Sequence, residues 1–158
     1  MSDTTGNLEN QLKSVHPSQL GRFFRENKDK MAPERELNPF LMYFTERLRE
    51  KKLTQRALFV RLGISESYGR KIVSGEKRAR SRDLILALCL GAGFTLEETN
   101  RALKLYPMPP LYARVRRDAI IMNAVSNRVT DPEQISRLLL AQGEEALKLL
   151  HSPDGAEP

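Results

Sequence analysis

The sequence predicts an all-α protein, a five-helix bundle followed by a C-terminal extension of two to three helices. Three observations predict it. Apolar residues recur three to four positions apart along most of the chain beyond residue 38. No stretch alternates with the period of two that a half-buried strand requires. Ser, Thr or Asn precedes successive apolar segments and Gly follows several of them, which is the punctuation of helix starts and stops.

Residues 1–37 carry no sustained period and are rich in Asn, Ser, Asp and Lys, which predicts a mobile arm. Its one apolar cluster, QLGRFFREN, follows Pro17 and predicts at most one brief helix starting near Ser18. Asn38 is a suitable N-cap and Pro39 suits the first helical position. Phe40, Tyr43, Phe44 and Leu48 then form one buried stripe, with Arg47, Arg49, Lys51 and Lys52 outside it. Thr54 caps a second helix that carries Leu58, Val60 and Leu62 as apolar residues and stops at Gly63. Ser65 caps a third, with Glu66 placing negative charge at the positive end of the helix and Gly75 ending it. Ser81 opens a fourth, RDLILALCLGAG, whose near-continuous apolarity marks the core helix. Thr95 and Glu98 form the capping box of a fifth, LEETNRALKLY, and the prolines of PMPP end it.

Beyond Pro110, Tyr112–Arg128 reads as a sixth helix. Thr130 and Glu133 read as another capping box, with Pro132 in the first turn and Ile135, Leu138 and Leu139 facing inward until Gly143. EEALKLL adds a last short helical piece, and residues 151–158 read as a disordered tail.

The net charge is +6, with a pI near 9.7, which suits an anionic partner without identifying one. The one cysteine, Cys89, lies within LILALCL, so no intrachain disulfide forms and a buried, inert thiol is expected. The polar start MSDTTGNLENQ is unlike a secretory signal. The longest apolar run, Leu84 to Phe94, is interrupted by two glycines and falls short of the roughly 20 residues of a membrane span. These features predict a soluble, reduced, cytoplasmic protein with no membrane association.

His16 and His151 sit at opposite ends without ligand-spaced Cys or carboxylates, so no metal is expected. GRKIVSGEKR lacks the order of a phosphate loop. The pairs Glu97-Glu98 and Glu144-Glu145 are explained by helix starts, and the four tyrosines are too scattered for a base-stacking platform. Nothing resembles a nucleophile with its base. Neither an enzyme nor a cofactor is expected.

From Leu48 to Arg78 the chain resembles the phage-repressor (Cro-like, XRE) helix-turn-helix family. Leu48, Gln55, Leu58, Leu62-Gly63-Ile64-Ser65, Ile72 and Ser74-Gly75-Glu76-Lys77-Arg78 carry the likeness, and LALCLGAGFTLEE is similar to the family's closing helices. The likeness covers about residues 40–105. It implies a DNA-binding domain over 38–106, with residues 107–150 as a helical extension.

Gly63 supplies the left-handed backbone between two helices, and Ile64 plugs the turn beneath it. A second helix aimed this way fits a major groove about 12 Å wide. Helical spacing turns Tyr68 or Gly69, and Ile72, inward and leaves Glu66, Ser67, Arg70 and Lys71 outward. The resemblance implies that this outward set reads base edges. Arg70 suits guanine O6 and N7, and Glu66 suits cytosine N4. It further implies backbone contacts by Gln55, Lys77, Arg78, Arg80 and Arg82. From Glu66 to Arg82 there are six basic and two acidic residues, a local +4.

Two positions depart from the family pattern, Phe59 where a small residue is usual and Gly69 where a branched apolar one is usual. A size swap is expected, with the Phe59 ring filling the space of the side chain missing at 69. Arg114, Arg116 and Arg117 form a second basic knot, with Asp118 able to pair locally. DNA backbone, an acidic partner and a plain helix surface all remain open for it. The resulting expectation is a double-stranded-DNA-binding transcriptional regulator of repressor type, dimerising through residues 111–150. The alternative is an antitoxin-like or adaptor module that binds protein through the same bundle.

Overall fold

The computed structural model describes residues 4–31 and 38–148. The described residues contain nine α-helices and no strand. The chain divides at Asn38 into two compact units.

In the first unit, α1 (Thr4–Ser14) and α2 (Leu20–Glu26) are separated by a 3₁₀ turn over Pro17–Gln19, and a second such turn spans Lys28–Lys30. The expectation of at most one helix is corrected. α1 was missed because its sequence is polar, with only Leu8 and Leu12, four residues apart, marking an apolar face. His16 caps the first turn through Nδ1, which accepts from the Ser18 N–H at 3.2 Å. The Asn27 side chain donates to the Phe23 carbonyl at 2.9 Å and closes α2.

The second unit contains α3 (Pro39–Glu50), α4 (Gln55–Leu62), α5 (Glu66–Ser74), α6 (Arg82–Gly91), α7 (Leu96–Leu105), α8 (Arg116–Ser126) and α9 (Pro132–Ala141). α6 is central because every residue from Asp83 to Ala92 is buried. It packs on α4, α7 and α9, while α3 packs on α5 and α7. One continuous apolar core runs from Phe40 and Phe44 through Leu58, Phe59, Ile72 and Leu86 to Ile121, Ile135 and Leu139. Burying each such side chain contributes about 1.5–3 kcal/mol. Residues 107–148 therefore share the core of 38–106.

The local signals for starts and stops hold. Asn38, Thr54 and Ser65 accept from backbone N–H groups at their helix starts, and Thr95 with Glu98 makes the full capping box. Other expectations need correction. Val60 is 75% exposed, because α4 turns Leu58, Phe59 and Leu62 inward and leaves residue 60 on the far side. Leu138 is likewise exposed, while Ile135 and Leu139 are buried.

α8 starts at Arg116 instead of Tyr112, because residues 112–115 close a turn, with Val115 N–H donating to Tyr112 O at 3.0 Å. Leu111 N–H donates to Asn100 Oδ1 at 2.8 Å, and Tyr112 N–H to Asp118 Oδ2 at 3.0 Å. α9 is capped by Asp131, not Thr130. Residues 144–148 are not helical. Their backbone bonds outward instead: Leu147 N–H to Ser136 Oγ, Lys148 N–H to Asp83 Oδ2, and the carbonyls of Glu145 and Ala146 to Arg117. The tail expected over 151–158 lies outside the described residues. Among the described residues, no helix is long and apolar enough to cross a membrane.

Candidate nucleic-acid interface

The turn between α4 and α5 is fixed by backbone hydrogen bonds. Gly63 adopts φ 70°, and its N–H donates to Val60 O at 3.1 Å while Ile64 N–H donates to Phe59 O at 2.9 Å. This paired closure ends a helix while a left-handed residue redirects the chain. Ile64 is buried beneath the turn, and Ser65 Oγ accepts from Tyr68 N–H at 3.2 Å to start α5. At the other end Gly75 adopts φ 81°. The Asn38 amide nitrogen donates to the Ser74 carbonyl there, while its oxygen accepts from Leu41 N–H. One side chain thus closes α5 and opens α3.

α5 buries Tyr68, Gly69, Ile72 and Val73 and exposes Glu66, Ser67, Arg70 and Ser74, with Lys71 half-buried. The outward set is the one that helical spacing selects. Gly69 is buried against Phe59: a Cβ built at residue 69 falls 2.6 Å from the nearest ring carbon. The expected size swap is present.

The outward residues interact with one another. Glu66 Oε1 accepts from Arg70 Nε at 3.1 Å and from Nη2 at 2.8 Å. Glu66 Oε2 lies 4.0 Å from Nε of Arg56 in α4. The sequence reading missed Arg56. Its signal was position: it is the second residue of α4, and the short turn brings that end beside the start of α5.

The expected backbone contacts divide. Gln55 is half-buried at the start of α4, Arg80 is exposed and Lys77 is half-buried. Arg78 is exposed and anchored by the end of α7. Its Nη1 donates to Tyr106 O at 2.7 Å, and the guanidinium lies 4.9 Å from the centre of the Tyr106 ring. The Tyr106 hydroxyl accepts from Ala79 N–H at 2.9 Å and donates to Ile72 O at 3.1 Å, which ties the loop after α5 to the end of α7. Burial raises the Tyr106 phenol above the usual tyrosine value, and the Ala79 N–H and Arg78 partly counter this.

Arg82 differs from the rest of the expected phosphate set, because it pairs with buried Asp118 through both terminal nitrogens. The neighbouring residues form a second, crossed pair. Arg117 Nη1 and Nη2 donate to Asp83 Oδ1 and Oδ2 at 3.0 and 2.9 Å. Hydrogen bonding to Asp83 raises the Arg117 guanidinium further above its ordinary value. Two Arg-Asp dipeptides, 82–83 and 117–118, therefore exchange partners between α6 and α8, and the local pairing expected of Asp118 is corrected. Of the second basic knot, Arg116 bonds to Gln142 O and Glu144, and Arg114 is exposed.

No protein-family model, curated protein or solved structure matches the chain.

The outward chemistry consists of Ser67, Lys71, the Arg56–Glu66–Arg70 cluster, Lys77, Arg78 and Arg80. It comprises hydroxyl, ammonium and guanidinium donors with one carboxylate among them, on a helix whose underside is fixed by packing. Such a surface can donate hydrogen bonds to an anionic or acceptor-rich partner.

Proposed function

We propose that the protein is a sequence-specific double-stranded-DNA-binding regulator of transcription, acting in the cytoplasm as a repressor of Cro-like helix-turn-helix type. The observation that carries this reading is the polar face of α5, standing outward on a turn closed by paired backbone hydrogen bonds. α5 enters the major groove with Ser67, Arg70 and Lys71 toward base edges and Glu66 beside Arg70. Gln55, Lys77, Arg78 and Arg80 hold phosphates on either side.

A homodimer through residues 111–150 places two such helices on successive half-sites, about 34–36 Å apart or a multiple of that. Val115, Leu138 and Leu140 support it, being exposed at 46%, 42% and 61%. A groove of about 370 Å³ between α8 and α9, lined by Ile120, Leu138 and Ala141 among others, adds concave surface there.

The test is selection of random duplex DNA by the purified protein. Recovery of an inverted repeat supports both specificity and pairing. Absence of retention at about 50 mM salt, where phosphate contacts are strong, removes the reading.

A second reading, as a module that binds another protein, is favoured by one observation. Arg82 is neutralised by Asp118 and Glu66 neutralises part of the outward charge, so the surface is less cationic than the sequence suggests.

A further inference from the structure

We propose that Glu66 is a positioning residue for Arg70 and not itself a reader of a base; this rests on the DNA-binding reading above. Of the five N–H donors of an arginine, Glu66 Oε1 occupies the Nε–H and one on Nη2. Of the other three, one on Nη1 and one on Nη2 point off the end of the fork, and the second on Nη1 points back beside Cδ. That end-on pair matches the adjacent O6 and N7 acceptors of guanine in the major groove. The carboxylate fixes the guanidinium from its side edge and leaves its tip for the base.

The same carboxylate discourages sequence-independent binding. Arg70 and Arg56 both have Glu66 within 4.0 Å. An anionic phosphate is repelled by that carboxylate whichever of these donors it takes, while a neutral guanine on the end-on pair is not. Glu66 thus weakens the general attraction to DNA and preserves the specific one. The ligand feature it selects is a guanine at the position under Arg70.

The test titrates the full chain and its Glu66→Gln and Arg70→Ala variants against a selected duplex and a scrambled one, over about 50–200 mM salt. Glutamine keeps the length of the side chain and removes its charge, and circular dichroism checks that the helices persist. Glu66→Gln is expected to bind the scrambled duplex more tightly. Its salt slope should steepen by about 0.9 for each added phosphate contact. It should also lose much of a guanine preference of about five- to a hundred-fold at one base pair. Arg70→Ala should lose the same preference without the steeper slope.

If Glu66→Gln leaves preference and slope unchanged, the inference is overturned while DNA reading stands. It is also overturned if Glu66→Gln relaxes a cytosine that Arg70→Ala leaves selected, because Glu66 then touches a base itself. Failure of the unaltered protein to bind either duplex is a different result, which removes the DNA reading.

Discussion

The ring of Phe59 in α4 fills the space in which a side chain at Gly69 of α5 would begin. A Cβ at residue 69 would meet three ring atoms at 2.6–2.7 Å, closer than such carbons approach. Gly69→Val is therefore expected to destabilise by about 1–3 kcal/mol through overpacking. Phe59→Ala should cost about 3–5 kcal/mol through the cavity it leaves. The double variant should be more stable than the sum of the two implies, because valine regains part of the vacated volume. Urea unfolding of the three proteins measures the coupling, and strict additivity would contradict the size swap.

The crossed pairs between α6 and α8 differ in kind from the surface ion pairs. Asp118 is 2% exposed, and removing it leaves the Arg82 guanidinium half-sheltered without its carboxylate. Asp118→Ala should cost about 3–5 kcal/mol. Arg137→Ala, which breaks an exposed pair with Glu133 inside α9, should change stability by no more than about 0.5 kcal/mol. Thermal unfolding at low and high salt separates them, because exposed pairs are screened more strongly than buried ones.

Acid should act on the link between α3 and α7. Burial raises the Glu98 carboxyl, but the Thr95 N–H, the Lys51 ammonium and the Thr95 hydroxyl together hold it below the usual glutamate value. A lowered folded value contributes stability above the unfolded value, about 4.3. That stability is lost as pH falls through the folded one. Glu98→Gln should therefore be less stable than the parent near neutrality, and the gap should close in acid. Denaturant midpoints at a series of pH values test this, and a gap independent of pH would refute it.

Two helix ends use a left-handed residue other than glycine: Lys52 at φ 56° and Arg128 at φ 64°. Both follow the same paired closure as Gly63; Val129 N–H, for example, donates to Ala124 O at 2.9 Å. The Cβ in that conformation costs about 1–2 kcal/mol. Glycine gives back part of this through its freer unfolded chain. Arg128→Gly should raise the unfolding midpoint modestly, and a lowered midpoint would show that the arginine makes a compensating contact.

What the sequence made legible was local. Asn38, Thr54, Gly63, Ser65, Gly75, Thr95 and Glu98 act within a few residues of themselves, and their caps and stops stand where pattern and chemistry place them. The outward face of α5 was legible for the same reason, since it follows from the helical period alone. What escaped depends on distant partners. Arg82 reads as a surface cation until Asp118 arrives from 36 positions away, and the anchoring of Arg78 by Tyr106 spans 28. The segment 144–148 reads as helix by composition, but its donors and acceptors are drawn off by Asp83, Arg117 and Ser136. α1 escaped because a polar helix leaves too faint an apolar period.

The Tyr106 hydroxyl holds Ile72 on one side and Ala79 on the other, and it settles the shape of the strip between them before any encounter. Lys77 rides on that strip and Arg80 follows directly after it. A molecule that meets them finds cations already spaced, so the ordering that a slack loop would undergo on contact belongs here to folding. Dissociation, more than arrival, is then where substitutions at Tyr106 would be felt.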